Sequence, residues 1–217
     1  MTTTYLAHNR VQLALHELRA GTGRPLLLLH GLGERSPQTP PEHVAGWPGP
    51  IVALDFTRHG ASTVPRCGGY TAELLMADVD LALAHLGEAT ILGRGLGGYI
   101  AILIAGARPD LVRGVVVDDG PGLHGGASGP TQAVVLMPDD AAGDGPPDPY
   151  AIVELATDTR TADYAVTFVR HAAERSGLDQ PITVVARIRP DWLAGVVDHL
   201  GGKPMSIEDA LARYAGG

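Results

Sequence analysis

The stretch of this chain best suited to chemistry is Gly93-Arg94-Gly95-Leu96-Gly97-Gly98, a glycine-rich turn between two apolar runs, Ala89–Leu92 and Gly98–Ala107. Two chemistries use glycines at this spacing. In Gly-x-nucleophile-x-Gly, a strained turn between strand and helix lifts a serine, cysteine or aspartate above the end of a sheet. Gly93 and Gly97 supply the outer positions, but the central residue is Gly95, which has no atom to attack with. In Gly-x-Gly-x-x-Gly, the glycines let the backbone approach a pyrophosphate at a helix N-terminus. Gly93, Gly95 and Gly98 match that pattern too, and Asp118 ends the next apolar run at about the distance of a ribose-binding acid.

Other acids, bases and metal-ligating residues are scattered. His30 precedes Gly31-Leu32-Gly33 and reads as a structural residue of that turn, with contact to a ligand as the alternative. Asp118 and Asp119 close an apolar run and face a cleft if that run is a parallel strand; loop capping is an equal alternative. Asp191 and His199 are the remaining acid and base candidates, eight residues apart. None of the serines (Ser36, Ser62, Ser128, Ser176, Ser206) lies in the Gly93–Gly97 turn. Cys67 is the single cysteine, which excludes an intrachain disulfide, and its loop offers no paired histidine. Asp139, Asp140 and Asp144 fit no calcium-loop spacing, and no Cys/His spacing suits zinc, so no metal or cofactor is expected. Arg58 and His59 belong to a turn after Asp55, and Arg170 and His171 to the wet face of a helix.

Short apolar runs bounded by glycine and proline position these residues. Leu26–His30, Ile51–Asp55, Ala89–Leu92, Gly114–Asp118 and Ile182–Ile188 read as strands buried on both faces, and Val11–Glu17 alternates like a half-buried strand near an edge. Thr71 caps a predicted helix running to Leu86, with Leu75, Val79 and Leu83 on one face and Gly87 as its stop. Gly98–Ala107 predicts a buried helix ended before Pro109. Further helices are expected from Asp148-Pro149, over Ala162–Arg175, Pro190–Leu200 and Ile207–Tyr214, with a possible strand at Gln132–Met137. Strands alternating with helices imply a parallel sheet covered on both sides.

The order of motifs is more telling than any one of them. His30-Gly31-Leu32-Gly33 follows one strand, and Asp55-Phe56-Thr57-Arg58-His59-Gly60-Ala61-Ser62 follows the next. Gly69-Tyr70-Thr71 then opens the first long helix, ahead of the Gly93–Gly97 turn and the stretch Ala107–Asp118. Over roughly residues 10–123 this resembles the α/β-hydrolase superfamily, in its esterase and peroxidase-like branch. A dinucleotide fold would place its fingerprint on the first strand, not after about 90 residues. The resemblance implies an α/β-hydrolase fold: a mostly parallel central sheet with helices on both faces and a short helical cap. It implies one domain over 1–217, with its core at about 1–120 and 179–217 and a cap-like insertion at about 121–178. Tyr150, Tyr164 and Phe168 would roof a pocket there or serve as plain core.

The resemblance also assigns an oxyanion hole to the backbone amides of Leu32 and Leu96, which need no particular side chain. It places the nucleophile at Gly95, where glycine relieves the positive-φ strain of the turn and removes the reactive group. Ser62 matches a structural serine. No register gives a convincing triad. If Ile182–Ile188 is the final strand, no histidine follows it; if it is the penultimate one, Asp191 is the acid and His199 comes too soon. If Gln132–Met137 is a core strand, Asp139 or Asp140 would be the acid.

Composition narrows the functions. The chain has 217 residues, a net charge of −8 and a single lysine, Lys203, with no basic cluster. A nucleic-acid or anionic-membrane partner is not expected. No apolar run approaches the ~18 residues of a membrane span. Met1–Tyr5 shows no signal-peptide pattern, and the cytoplasm is the expected location. The leading expectation is a catalytically vestigial hydrolase-fold protein that binds a small ligand or a protein partner in the former active-site cleft, using His30, Gly31, Leu32, Gly95, Leu96 and Asp119. The alternatives are a working ester or amide hydrolase built on Asp118, Asp191 or His199, and a dinucleotide binder.

Overall fold

A computed structural model describes residues 2–8, 11–65, 70–123, 149–156, 160–161, 163–201 and 204–216. Their strands are β1 (Thr2–His8), β2 (Val11–Arg19), β3 (Leu26–Leu29), β4 (Ile51–Leu54), β5 (Ala89–Arg94), β6 (Val112–Asp118) and β7 (Ile182–Val184). They form one sheet in the order β1-β2-β4-β3-β5-β6-β7. β2 pairs antiparallel with β1 and β4, and every other pairing is parallel. The helices are α1 (Ala72–Leu86), α2 (Leu96–Ala107), α3 (Pro149–Ala156), α4 (Asp163–Arg175), α5 (Asp191–Leu200) and α6 (Ile207–Tyr214), with a 3-10 turn at Glu42–Val44.

The period of two along each strand divides the core into two layers. Leu27, Leu29, Ile91, Val115 and Val117 share a cluster with residues of α1, α2, α4 and α5. Leu26, Leu28, Ala53, Leu92 and Val116 face the other way, onto Val44, Trp47 and the Ala210, Leu211 and Tyr214 side chains of α6. Helices therefore cover both faces, one much more heavily. The Thr71 hydroxyl caps α1 by accepting from Leu74 N at 3.3 Å, and Gly87 ends it at φ 79°. α2 is buried along almost its whole length. α4 lays Ala165, Val169 and Ala172 into the same core, and Tyr164 Oη donates to Glu73 Oε1 of α1 at 2.8 Å.

Most predicted elements form, with two differences. The edge strand β1 had no sequence signal: its side chains are mostly exposed, and only its pairing with β2 makes it a strand. The strand expected over Ile182–Ile188 stops at Val184. Val185 N and Ala186 N both donate to Val117 O (2.9 and 3.1 Å), the chain leaves the sheet, and Ile188 is 76% exposed. β7 is the edge of the sheet, and no strand follows it among the described residues. The segment Gln132–Met137, Asp139, Asp140, Asp144, Ser128 and Cys67 lie outside the described residues.

One buried carboxyl in α1 has a consequence for stability. Asp78 is 1% exposed and accepts from Thr57 N (2.8 Å) and Thr57 Oγ1 (2.9 Å). Burial pushes its pKa up to about 7, against the lowering pull of those two bonds. The folded chain keeps this proton where the unfolded chain has lost it, so stability falls as pH rises from about 4 to about 7. Asp78→Asn can accept from Thr57 N through its oxygen and donate from its amide to Thr57 Oγ1, without the charge. We expect it to exceed the parent in stability by on the order of 2 kcal/mol at pH 8, and by much less at pH 4. Urea unfolding at the two pH values measures this; the same difference at both would exclude the titration of Asp78 as its cause.

Candidate functional site

At the carboxyl edge of the sheet, β5 turns into α2 through a single residue. Gly95 sits at φ 49° and ψ −112°, in the left-handed half of backbone space that a side chain makes costly. The outer glycines serve close packing. A Cβ on Gly93 would stand 2.3 Å from Gly97 O, and one on Gly97 would stand 2.5 Å from Leu29 O. This is a sharp strand-to-helix bend whose tip carries no side chain.

The space in front of the bend is filled. After β6 the chain passes through Asp119-Gly120-Pro121-Gly122 directly over Gly95. A Cβ at position 95 would meet Pro121 O at 2.1 Å and Gly120 C and O at 2.5 Å. Leu32 N donates to Pro121 O at 2.8 Å, and Leu96 N donates to the same oxygen at 3.0 Å. The two amides expected to form an oxyanion hole do converge on one point, and a backbone carbonyl of the chain itself occupies it. The same contact removes the opening a pyrophosphate would need at the start of α2.

Among the described residues, the side chains around Gly95 hold turns rather than forming an acid–base pair there. His30 is buried; its Nε2 accepts from Phe56 N (3.2 Å), which leaves Nδ1 to donate to Gly31 O (2.8 Å). Burial, followed by the neighbouring His59, lowers its pKa to about 4, so it is a neutral imidazole at pH 7. The Asp119 carboxylate accepts from Arg187 N (2.9 and 3.1 Å) and Ile188 N (2.8 Å), which is the loop-capping role. Asp118 is half-buried, which raises its pKa, and lies within electrostatic reach of Arg94 and His43. Asp191 opens α5 and His199 lies in its last turn; both are exposed.

Two cavities flank the bend. The smaller, about 210 Å³, is lined by Gly95, Asp118, Asp119, Ala186, Trp192 and Leu193, among others. The larger, about 670 Å³, opens at the carboxyl ends of β3 and β5. Leu28, Leu29 and Leu92 contribute apolar lining, and His30, Glu34, Arg35, His43 and Arg94 contribute polar groups. Of the expected ligand-binding residues, His30 borders the larger cavity and Gly95 and Asp119 the smaller. Gly31, Leu32 and Leu96 border neither; their amides are taken by Glu34 Oε2 (2.9 Å) and by Pro121. Asp191, His199, Tyr164 and Phe168 also border neither. Sequence reasoning missed Glu34, which joins Gly31 N to Arg94 (3.3 Å), and missed Arg35, His43 and Pro121. For Pro121 a signal was present in the flanking Gly120 and Gly122.

A carboxylate–imidazole–hydroxyl chain does exist elsewhere. Asp55 Oδ2 lies 2.9 Å from His16 Nε2, and His16 Nδ1 lies 2.9 Å from Thr3 Oγ1. Neither cavity includes any of the three residues, and the chain ties β4 to β2 and β1. Among the described residues no three His, Cys, Asp or Glu side chains group as a metal site, and no helix is long and apolar enough to cross a membrane.

No family model matches the chain. It is 34% identical over 114 residues to an esterase of Mycobacterium tuberculosis, a match covering 51% of this chain and 38% of that protein. It is 30% identical over 125 residues to the (E)-2-((N-methylformamido)methylene)succinate hydrolase of Acinetobacter baylyi, covering 54% of this chain and 44% of that one. Less than half the length of each relative is thus matched. A solved haloalkane dehalogenase of Agrobacterium tumefaciens is 25% identical, with a TM-score of 0.47 over 56% of this chain and 42% of that chain. A parallel sheet with β3 between β4 and β5, turning through Gly95 into α2 and sharing sequence with an esterase and a hydrolase, makes this chain a member of the α/β-hydrolase superfamily.

Proposed function

We propose that this chain uses the hydrolase scaffold without hydrolase chemistry and binds a small, partly apolar molecule beside the former nucleophile turn. The carrying observation is at position 95. No side chain is present to form a covalent intermediate, and the volume a Cβ would take belongs to Gly120 and Pro121. The larger cavity supports the binding half of the proposal. Its volume falls in the range of small-molecule sites, and it combines an apolar floor with a few polar groups. It also lies between β3, whose connection runs to β4, and β5, whose connection runs the other way to β6. Ligands of open α/β sheets bind outside the strand ends at such a reversal.

A second reading has its own support. The matched relatives are named as an esterase and a hydrolase, and Asp118 borders the small cavity beside Gly95 with a raised pKa. A water held by Asp118 would then replace the nucleophile. One experiment separates the two. The chain is incubated with p-nitrophenyl acetate and butyrate and, separately, with a fluorophosphonate probe. We expect release no faster than in buffer and no labelled protein. Turnover that disappears in Asp118→Asn would establish the water-based reading instead, and covalent labelling would defeat both.

A further inference from the structure

We infer that the Leu32 and Leu96 amides form a carbonyl-binding site whose resident ligand is the chain's own Pro121, so that the site is closed to any external carbonyl or carboxylate. This rests on the non-hydrolytic proposal and deepens it, by naming what fills the place a substrate oxygen would take. Two N–H groups from different elements, one following β3 and one opening α2, meet a single oxygen at 2.8 and 3.0 Å. Donors at that separation are what an oxyanion site requires. The turn that delivers the oxygen is held on both sides. Gly95 N donates to Asp118 O at 3.1 Å, and the Asp119 carboxylate binds the chain leaving β7 through Arg187 N and Ile188 N.

The fit is encoded in four residues that lack a Cβ. One added to Gly31 would stand 2.8 Å from both Pro121 Cδ and Pro121 O. One on Gly95 would stand 2.1 Å from Pro121 O, one on Gly120 would stand 2.9 Å from Gly95 N, and one on Gly122 would stand 2.8 Å from Leu96 N. All four distances are shorter than a carbon can hold against backbone, so each glycine is needed for the carbonyl to seat. Two of the four lie in the turn and two in the elements that receive it. The proline between Gly120 and Gly122 fixes its own φ, which removes one rotation from the turn that carries the carbonyl. An external ligand would have to break two hydrogen bonds and displace this turn before reaching either donor.

The direct test needs no substitution. In the full chain labelled with deuterium, carbon-13 and nitrogen-15, scalar couplings across hydrogen bonds should link the Leu32 and Leu96 amide nitrogens to the Pro121 carbonyl carbon. Absence of either coupling, with those between β3 and β5 visible, overturns the inference. A second measurement uses Gly95→Ala, whose methyl group expels the Pro121 oxygen. Amide exchange at Leu32 and Leu96 should accelerate together by at least about tenfold, with Leu28 and Leu92 unchanged. Millimolar benzoate should shift neither amide in the parent. A folded variant with unaltered protection, or benzoate shifting these amides in the parent, would also overturn it; if the variant does not fold, the couplings decide. Couplings present alongside ester turnover would refute the non-hydrolytic proposal and leave the resident carbonyl standing. Couplings absent without turnover would do the reverse.

Discussion

Gly95→Ser puts a hydroxyl at the tip of the bend between β5 and α2, and we expect it to yield a less stable protein with no gain in ester hydrolysis. The position has φ 49°, where a Cβ costs of order 1–3 kcal/mol. The added atoms must also displace the Gly120–Pro121 backbone, which a Cβ would approach to 2.1–2.5 Å. Forced overpacking adds about 1–3 kcal/mol. A total of about 2–6 kcal/mol in a chain of this size lowers Tm by roughly 5–20 °C. The catalytic side fails for separate reasons. His199 is exposed on α5, His30 is neutral and committed to Gly31 O and Phe56 N, and the oxygen site is taken by Pro121. Thermal unfolding and p-nitrophenyl butyrate hydrolysis of parent and variant provide the check. An unchanged Tm would contradict the crowding at position 95, and a new esterase activity would mean that a base and an open oxyanion site exist after all.

The scaffold was legible because its signals are side-chain patterns. Leu26–Leu29, Ile51–Leu54 and Val115–Val117 are apolar on both faces because both faces are covered, and Thr71 and Gly87 bracket α1 by capping chemistry that any sequence displays. Gly95 was legible as the tip of a tight turn, because its φ of 49° suits a residue without a side chain. What fills the site was not, because it is a main-chain carbonyl. Every residue has one, and only the fold brings the one at Pro121 within 3.0 Å of amides 89 and 25 positions away in sequence, at Leu32 and Leu96. The trace it leaves is indirect, in glycines at 31, 95, 120 and 122 that no single motif explains. Asp119 was readable only as a choice between cleft and cap; its carboxylate accepts from the Arg187 and Ile188 amides and also borders the smaller cavity. The larger cavity depends on Glu34, Arg35 and His43, which precede β4 in a stretch with no periodicity, so their convergence on Leu28 and Leu92 had no sequence signature. The strand β1 was missed for the opposite reason: its hydrogen bonds, and not its side chains, place it in the sheet.

Asp55→Asn should be among the most damaging single substitutions in the chain, at about 3–5 kcal/mol near pH 7, although Asp55 touches neither cavity. Its carboxylate is 2% exposed and accepts from Ser36 N (2.7 Å), Ala61 N (2.8 Å) and His16 Nε2 (2.9 Å). Asparagine has one acceptor oxygen for these three donors, so its own amide must face at least one of them. Through His16 the loss reaches Thr3 and the β1 edge, and through Ser36 and Ala61 it loosens the segments on either side of the larger cavity. The pH dependence separates this account from simple misfit. Burial raises the Asp55 pKa, but the bonds from His16, Ala61 and Ser36 outweigh it and hold the group below its ordinary value of 3.8. A carboxylate depressed in the folded state contributes stability at all pH values above the unfolded pKa, and that contribution disappears as pH falls through the folded one. Urea unfolding of parent and variant should therefore give a constant gap from pH 8 to about pH 5, closing progressively below about 4. A gap under about 1 kcal/mol, or one that persists unchanged in acid, would mean that the charge on Asp55 is not what holds the β2–β4 corner together.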